Sequence, residues 1–404
     1  MGNCLLTLKS NVLMCYECCC DCCLCNKKVK NRFHHKTSSE VSKKTVKTFW
    51  EEKPFVDRDS LTVSQIPITK ISRNISISEN NERLKGNEKQ FDSMVLSLEN
   101  YECLENVGKG AHGVVYKVRN KETNHLFAVK VMILSTKFQN YLSRINTFKN
   151  EIFHLRRHPH HNIIGLKDHF VCKHQISYMI MELAISGDLS HILKTRSQPF
   201  SEEMAKSYFV QIYNAIHYLH YKSLYHGDMK LANVLIAIVD NKEVVKVSDF
   251  GNCRIAYSNE TGDIIKNKAV GTVAYMAPEI IRVYIDVNLN CKGVSKTVNG
   301  YNPQKGDMWA LGVSFYELLS KQRPFTYRSK EPKDLQKMLK DMKKGYNMPS
   351  NIANKLSADC MLILKKLLHY DKDERFNSFS LKSHKYITES SEYIPVTNIT
   401  VKLN

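Results

Sequence analysis

Residues 225 to 233 read Tyr225-His226-Gly227-Asp228-Met229-Lys230-Leu231-Ala232-Asn233, and Asp249-Phe250-Gly251 follows after an apolar stretch. These residue types form a set. Asp228 offers a carboxylate that can take or orient a hydroxyl proton, and Lys230 a cation for a phosphate. Asn233 and Asp249 offer oxygens for a divalent metal ion. Phosphoryl transfer from a magnesium nucleotide needs these groups, because positioning and charge neutralisation carry most of its catalysis. Upstream, Gly108-Lys109-Gly110-Ala111-His112-Gly113-Val114-Val115 fits G-x-G-x-x-G-x-V. Small residues there let backbone amides come close to phosphates. Ala128-Val129-Lys130 follows, so Lys130 can meet the α- and β-phosphates, and Glu151 is the carboxylate that can fix that lysine. Taken singly, Lys130 reads as a solvated strand lysine, Asp228 as a helix cap, and Gly108 and Gly110 as turn residues. Their joint order and spacing argue for chemistry.

The elements that must position these groups are legible from periodicity. Residues 101–107 alternate like a strand and run into the glycines. Residues 114–118 and 126–132 read as two further strands, joined by a polar turn at Asn120 to Asn124. Residues 148–157 have helical spacing, with Ile152 and Leu155 on one face. Residues 176–183 are again strand-like. Beyond Gly187 the pattern turns helical: residues 204–220 place Ala205, Phe209, Ile212, Ile216 and Leu219 on one stripe. Helices over 308–319 and 358–368 follow. The expected architecture is a small β-rich part followed by a larger helical part, an α+β chain.

With these motifs in order, residues 99 to 387 resemble the eukaryotic protein kinase family. The resemblance implies a bilobal protein-kinase-like fold, with an N-lobe over about 99–183 and a C-lobe over about 187–387. It implies ATP and Mg²⁺ as cofactors. Asp228 would be the catalytic base, Lys230 would contact the γ-phosphate, and Asn233 and Asp249 would hold Mg²⁺. Lys130 and Glu151 would form the phosphate-binding pair. Val107, Gly108, Lys109, Gly110, Ala111, His112, Gly113, Val114 and Val115 would cover the nucleotide. Val115, Ala128 and Leu235 would sandwich adenine, and the backbones of Glu182 and Ala184 would hydrogen-bond it beside Met181. Asp188 sits where the family contacts ribose or a substrate side chain. Residues 271–279 resemble the end of the activation segment, with Glu279 expected to pair with Arg375. Asp307 to Gly312 resemble the helix that anchors the catalytic loop. Leu155, Leu166, His226 and Phe250 would stack as an apolar column. Lys230 together with Thr272, which joins the catalytic set, resembles the serine/threonine type, so protein serine and threonine hydroxyls are the implied substrates. The alternative is a pseudokinase, a nucleotide-binding signalling scaffold; such proteins usually lack the equivalents of Lys130, Asp228 or Asp249, and none is lost here.

Two positions depart from the family pattern. Gly227 stands where H-R-D has its arginine, the residue that normally receives an activation-segment phosphate. Tyr257, Ser258 and Thr261 are therefore poor candidates for an on-switch, and either constitutive activity or a regulatory partner is expected instead. Ala232 replaces a glutamate that contacts substrate arginine in many members. Between Glu279 and Asp307 a polar insert at 288–302 reads as a variable surface loop or a docking site.

The chain has 404 residues, a formal charge of +19, 43% hydrophobic and 25% charged residues, which fits a soluble globular protein with acidic partners. No ordered nucleic-acid motif occurs, so nucleic acid is not an expected partner. No run of about 18 apolar residues suggests a membrane span, and a secretory signal is not expected. Residues 1–98 read as a mostly disordered tail, cysteine-rich and then basic, and 388–404 as a loose C-terminal tail. Met1-Gly2-Asn3-Cys4 resembles acylated N-termini, with Gly2 for myristate and Cys4 for palmitate, although Leu6 stands where Ser or Thr is expected. Cys15, Cys18, Cys19, Cys20, Cys22, Cys23 and Cys25 follow, then Lys27, Lys28, Lys30 and Arg32. Acyl chains plus this basic run would tether the chain to an anionic membrane surface. The rival reading of the cysteines is a metal site. The expected location is intracellular and cytoplasmic, or at the cytoplasmic face of a membrane.

Overall fold

The computed structural model describes residues 98–110, 113–133, 141–171, 176–256, 269–288 and 300–396. All of them belong to one compact unit spanning 68–404. The cysteine-rich and basic segment, with the sites expected to be acylated, lies outside the described residues. So do Ala111, His112, Tyr257, Ser258, Thr261 and most of the polar insert.

The N-terminal lobe is built on a sheet of β1 (Tyr101–Gly110), β2 (Gly113–Asn120), β3 (Leu126–Ile133), β4 (Leu166–Val171) and β5 (Ile176–Glu182). The strand order is β1-β2-β3-β5-β4, with antiparallel pairing throughout. The β2–β3 turn closes because Asn120 Oδ1 accepts from the Glu122 and Thr123 amides, the local side-chain bond that favours Asn in turns. Side chains alternate along β2: Val114, Tyr116 and Val118 enter the apolar core of this lobe with Val129, Val131 and Ile180. Val115 stands on the other face, opposite Lys130. Helix α1 (Tyr141–Arg157) starts seven residues before the expected helical segment. Its first turns carry too few apolar residues for a stripe to show.

The larger lobe is mostly helical. Helices α2 (Leu189–Thr195) and α3 (Glu202–Tyr221) come first. Ser201 caps α3 through the Met204 amide, and Glu202 and Glu203 complement its positive end. The predicted stripe from Ala205 to Leu219 is buried. Short strands β6 (Leu224–Tyr225) and β9 (Arg254–Ile255) pair, as do β7 (Val234–Val239) and β8 (Lys242–Val247). Then come α4 (Pro278–Asn288), α5 (Pro303–Ser320), α6 (Pro332–Lys344), α7 (Ser350–Ala353), α8 (Ala358–Leu367), α9 (Ser378–Lys382) and α10 (Lys385–Thr388).

Helix α5 begins five residues before the expected segment. Asn302 caps it and Pro303 occupies its first turn, a start that hydrophobic periodicity does not register. It is buried on nearly all sides, and Phe315 meets Phe209 of α3 with ring centroids 4.4 Å apart. Residues 389–396 are not a loose tail. Asn214 of α3 donates to the Glu392 carbonyl at 2.6 Å, and Tyr393 packs on the core of this lobe. No helix among the described residues is long and apolar enough to cross a membrane.

Candidate active site

The loop between β6 and β7 carries the polar residues, and α5 holds it in place. Asp307, near the start of α5 and buried, accepts from the His226 amide at 2.7 Å and from the Gly227 amide at 2.9 Å. His220 reaches the same carboxylate at 3.1 Å. His226 is also buried; its Nδ1 faces the Asp228 amide at 3.2 Å and its Nε2 the Ser248 carbonyl at 3.0 Å. The loop is therefore fixed from three sides by buried polar contacts, the arrangement that rigidifies a site when every member is satisfied.

Asp228 then projects into a small network. Lys230 Nζ donates to its Oδ2 at 2.7 Å. The Thr272 amide and hydroxyl donate to its Oδ1 at 2.7 and 2.8 Å. Lys230 also donates to Thr272 Oγ1 at 2.9 Å. Thr272, far along the chain, thus meets both the carboxylate and the lysine. A small recess beside Asp228 is lined by Tyr225, Met229, Gly271, Met276, Ile280 and Tyr301.

Across the sheet face, Val115, Lys130 and Met179 line up on adjacent strands, and Ala128 stands opposite Met181. Lys130 Nζ meets both carboxylate oxygens of Glu151 on α1, at 2.7 and 2.8 Å. Burial works against charge at both groups and raises the Glu151 carboxyl. At Lys130 burial also pulls the pKa down, but Glu151 and Asp249 outweigh it and raise the value. The two-pronged geometry is that of an ion pair.

Asn233 Nδ2 donates to the Asp228 carbonyl at 2.8 Å, which turns its Oδ1 away from that bond. Asp249 follows on the far side of the β7–β8 hairpin in a left-handed conformation, φ 64° and ψ 69°, uncommon for a residue with a side chain. An amide oxygen and a carboxylate are the hard donors that Mg²⁺ takes while phosphate oxygens and water complete its octahedron. Among the described residues there is no group of three or more His, Cys, Asp or Glu that could hold a metal ion.

The remaining residues expected around the nucleotide take the following places. Val114 is buried in the N-lobe core and offers the cleft only its backbone. Glu182 donates its amide to the Gly165 carbonyl and accepts the Gly165 amide with its carboxylate. Only its carbonyl remains to serve a base. The Ala184 carbonyl accepts from Gly187. Asp188 caps α2 by accepting the His191 amide at 2.9 Å, so one of its oxygens is engaged at home. Leu235 bridges Asp188 across the cleft floor. Val107 and Lys109 lie exposed at the end of β1. Phe250 and His226 meet edge to face at 5.2 Å, and Leu155 and Phe250 share one buried cluster against which Leu166 packs. Arg375 and Glu279 form the expected buried pair at 2.6 and 3.0 Å. Sequence reasoning missed Asn150, whose amide reaches three carbonyls of residues 250–253. A single asparagine ahead of Glu151 carries no motif signal.

The family model described as "Protein kinase domain" matches residues 101–387. The chain is 34% identical over 307 residues to a protein named Aurora kinase from Candida glabrata, covering 76% of each chain. It is 30% identical over 299 residues to an Aurora kinase from Saccharomyces cerevisiae, covering 74% of this chain and 72% of that one. With a Dictyostelium discoideum protein named Myosin light chain kinase A it shares 29% identity over 302 residues, 75% of this chain and 92% of the relative. A two-lobed fold, a lysine paired to a helix glutamate, an aspartate braced by lysine and threonine, and these matches lead to one assignment: the chain belongs to the eukaryotic protein kinase family and is a protein serine/threonine kinase.

Proposed function

We propose that the chain transfers the γ-phosphate of Mg-ATP to serine and threonine hydroxyls of proteins, with Asp228 as the group that orients and deprotonates the hydroxyl. The observation that carries this is the contact of Asp228 with both Lys230 and Thr272. It sets a carboxylate beside a cation that can meet the transferring phosphate, with the Thr272 amide and hydroxyl fixing the direction of that carboxylate. Lys130, fixed by Glu151, holds the α- and β-phosphates. Asn233 and Asp249 hold Mg²⁺, which supplies charge neutralisation between the phosphates when bound. Val115, Ala128 and Leu235 enclose adenine, with the Glu182 carbonyl and the Ala184 amide at its edge. Because Gly227 carries no guanidinium, a phosphate on the activation segment has no arginine to meet at this position, and the enzyme is either constitutive or switched by a partner.

The test is transfer from Mg-ATP to a mixed serine/threonine peptide library by the full chain after phosphatase treatment. Asp228→Asn should reduce transfer by about a hundredfold or more, the scale of general acid–base catalysis, with ATP binding retained. A wild-type chain that binds ATP and transfers nothing would favour the nucleotide-binding scaffold instead.

The N-terminal segment is proposed to tether the enzyme to the cytoplasmic face of a membrane. One myristoyl chain binds only at about 10⁴ M⁻¹, so a second signal is needed. Acylated cysteines after Cys4 would provide it, and Lys27, Lys28, Lys30 and Arg32 would each add about 1 kcal/mol at an anionic leaflet. Gly2→Ala should move the protein to the soluble fraction of cells. A variant that stays membrane-bound as firmly as wild type would remove myristate from the account.

A further inference from the structure

Helix α1 does two things on one side. Residues three and four apart lie on the same face of a helix, and Thr147, Asn150 and Glu151 share such a face. Glu151 fixes Lys130. Its neighbour Asn150 reaches the other way: Nδ2 donates to the carbonyls of Phe250 at 2.9 Å, Gly251 at 3.3 Å and Cys253 at 2.6 Å. These carbonyls belong to the short turn that leaves Asp249. Arg254 Nη1 covers two of the same carbonyls, Gly251 at 2.9 Å and Cys253 at 2.7 Å. Thr147 presses against the turn as well. A Cβ on residue 251 would stand 2.5 Å from its Cγ2, so the helix and the turn are in close contact and a larger residue at 251 would have to push Thr147 aside.

Backbone carbonyls gathered in one tight turn need donors, and here the donors come from α1 and from the strand that follows the turn. The strained conformation of Asp249 persists only where its surroundings over-determine it. The clamp of Asn150, Arg254 and Thr147 is what stands against the residues directly after it. Arg254 spends Nη1 on these carbonyls, and Gly227 contributes no cation.

We infer that Asn150 is a positioning residue. Together with Arg254 it holds the Asp249 turn in its working place and ties it to the Glu151–Lys130 pair, the task that a phosphorylated activation segment would otherwise perform. The inference rests on the reading of Asp249 as the metal-holding carboxylate. It adds a device that lets the phosphate site and the metal site form together in the unphosphorylated chain.

The experiment compares the full chain, phosphatase-treated, with Asn150→Asp and Asn150→Ala. The first has the same size and turns a donor into an acceptor facing three carbonyls; the second removes the group with little bulk change should the first fold poorly. Three readouts are taken: hydrogen exchange of amides 249–256 without nucleotide, ATP affinity with and without Mg²⁺, and peptide phosphorylation. Losing a hydrogen bond of this kind is worth about a factor of ten. Exchange in 249–256 should accelerate by about that factor while β7 and β8 stay unchanged. ATP affinity should fall about tenfold with Mg²⁺ and hold without it, and kcat should fall about tenfold or more at unchanged peptide KM. Unchanged exchange at 249–256, or an equal loss of ATP affinity with and without Mg²⁺, overturns the clamp. Wild-type activity that disappears on dephosphorylation overturns its independence from phosphate. If wild type transfers nothing, the kinase reading falls, and exchange and Mg²⁺-dependent binding still decide the clamp.

Discussion

Gly227 shows how much one residue decides. Its φ of +79° lies in the left-handed region, and an added Cβ would stand 3.1 Å from the Tyr225 ring and 3.2 Å from the Asn252 carbonyl. Gly271, at φ +104°, leaves no room for a Cβ either, since one would lie 2.5 Å from the Gly227 carbonyl. The catalytic loop and the end of the activation segment thus meet backbone to backbone beside Asp228. Writing arginine into position 227 does not simply restore the family pattern. The backbone conformation alone costs a side chain about 1–2 kcal/mol, before the crowding at Tyr225. Gly227→Arg should melt several degrees below wild type and transfer phosphate more slowly, as read by a thermal melt and a peptide assay. An unchanged melting temperature would show that the loop relaxes freely, against the crowding described here.

At the scale of elements, α5 is the post on which the lobe is hung. Its Asp307 fixes the catalytic loop, and its Trp309 lies under Arg375, whose guanidinium centre is 5.0 Å from the ring centroid. Arg375 in turn joins Glu279 of α4 and the carbonyls of Lys305 and His369. Each of the three guanidinium nitrogens donates to an acceptor, and Glu279 has both its carboxylate oxygens on this cation, so removing it strands Glu279. Breaking one side of a buried pair costs about 3–5 kcal/mol. Arg375→Leu should lower stability by that order in urea denaturation, while the fraction still folded keeps its rate within a few fold, because neither partner touches Asp228. Glu279→Met combined with Arg375→Leu should recover part of the loss. A single variant as stable as wild type would contradict the assignment.

For the whole molecule the histidines set the acid limit. Burial pushes His154 and His160 down to about 3 and His217 to about 4, with neighbouring positive charge adding to the effect. At His160 the reason is also visible in a bond: its Nδ1 accepts from the Asn162 amide and cannot do so once protonated. Groups whose folded pKa is depressed take up protons more readily when unfolded. Their contribution is complete above the ordinary histidine value near 6.5 and is lost as pH falls toward 4. Each histidine removes up to about 1.4 kcal/mol per pH unit in that window. Glu151 and Glu317, raised by burial, work the other way at the acid end. The net expectation is a melting temperature that falls between about pH 6.5 and about pH 5, measured by calorimetry across that range. A flat profile there would mean that these rings are solvated.

Much of this was legible without coordinates. The order of glycine loop, Lys130, Glu151, Asp228, Lys230, Asn233, Asp249 and Thr272 is chemistry written in residue types. The stripe on α3 and the alternation along the first strands are written in period, because a helix or strand shows its buried face locally. Other features depend on which distant segments meet, and packing alone decides that. Alternation separates Val114 from Val115 but does not say which one enters the core. Asp188 reads equally well as a ligand until its helix starts beside it and takes its carboxylate as a cap. Residues 389–396 look loose until Asn214 and the lobe core receive them. Asn150 is one polar residue in a helix until a turn about a hundred residues later brings three carbonyls to its amide. Residue types and their spacing are enough to read the chemistry and the order of its groups along the chain; packing selects which backbone groups hold that chemistry still, because unsatisfied donors and acceptors find their partners only when the chain is packed.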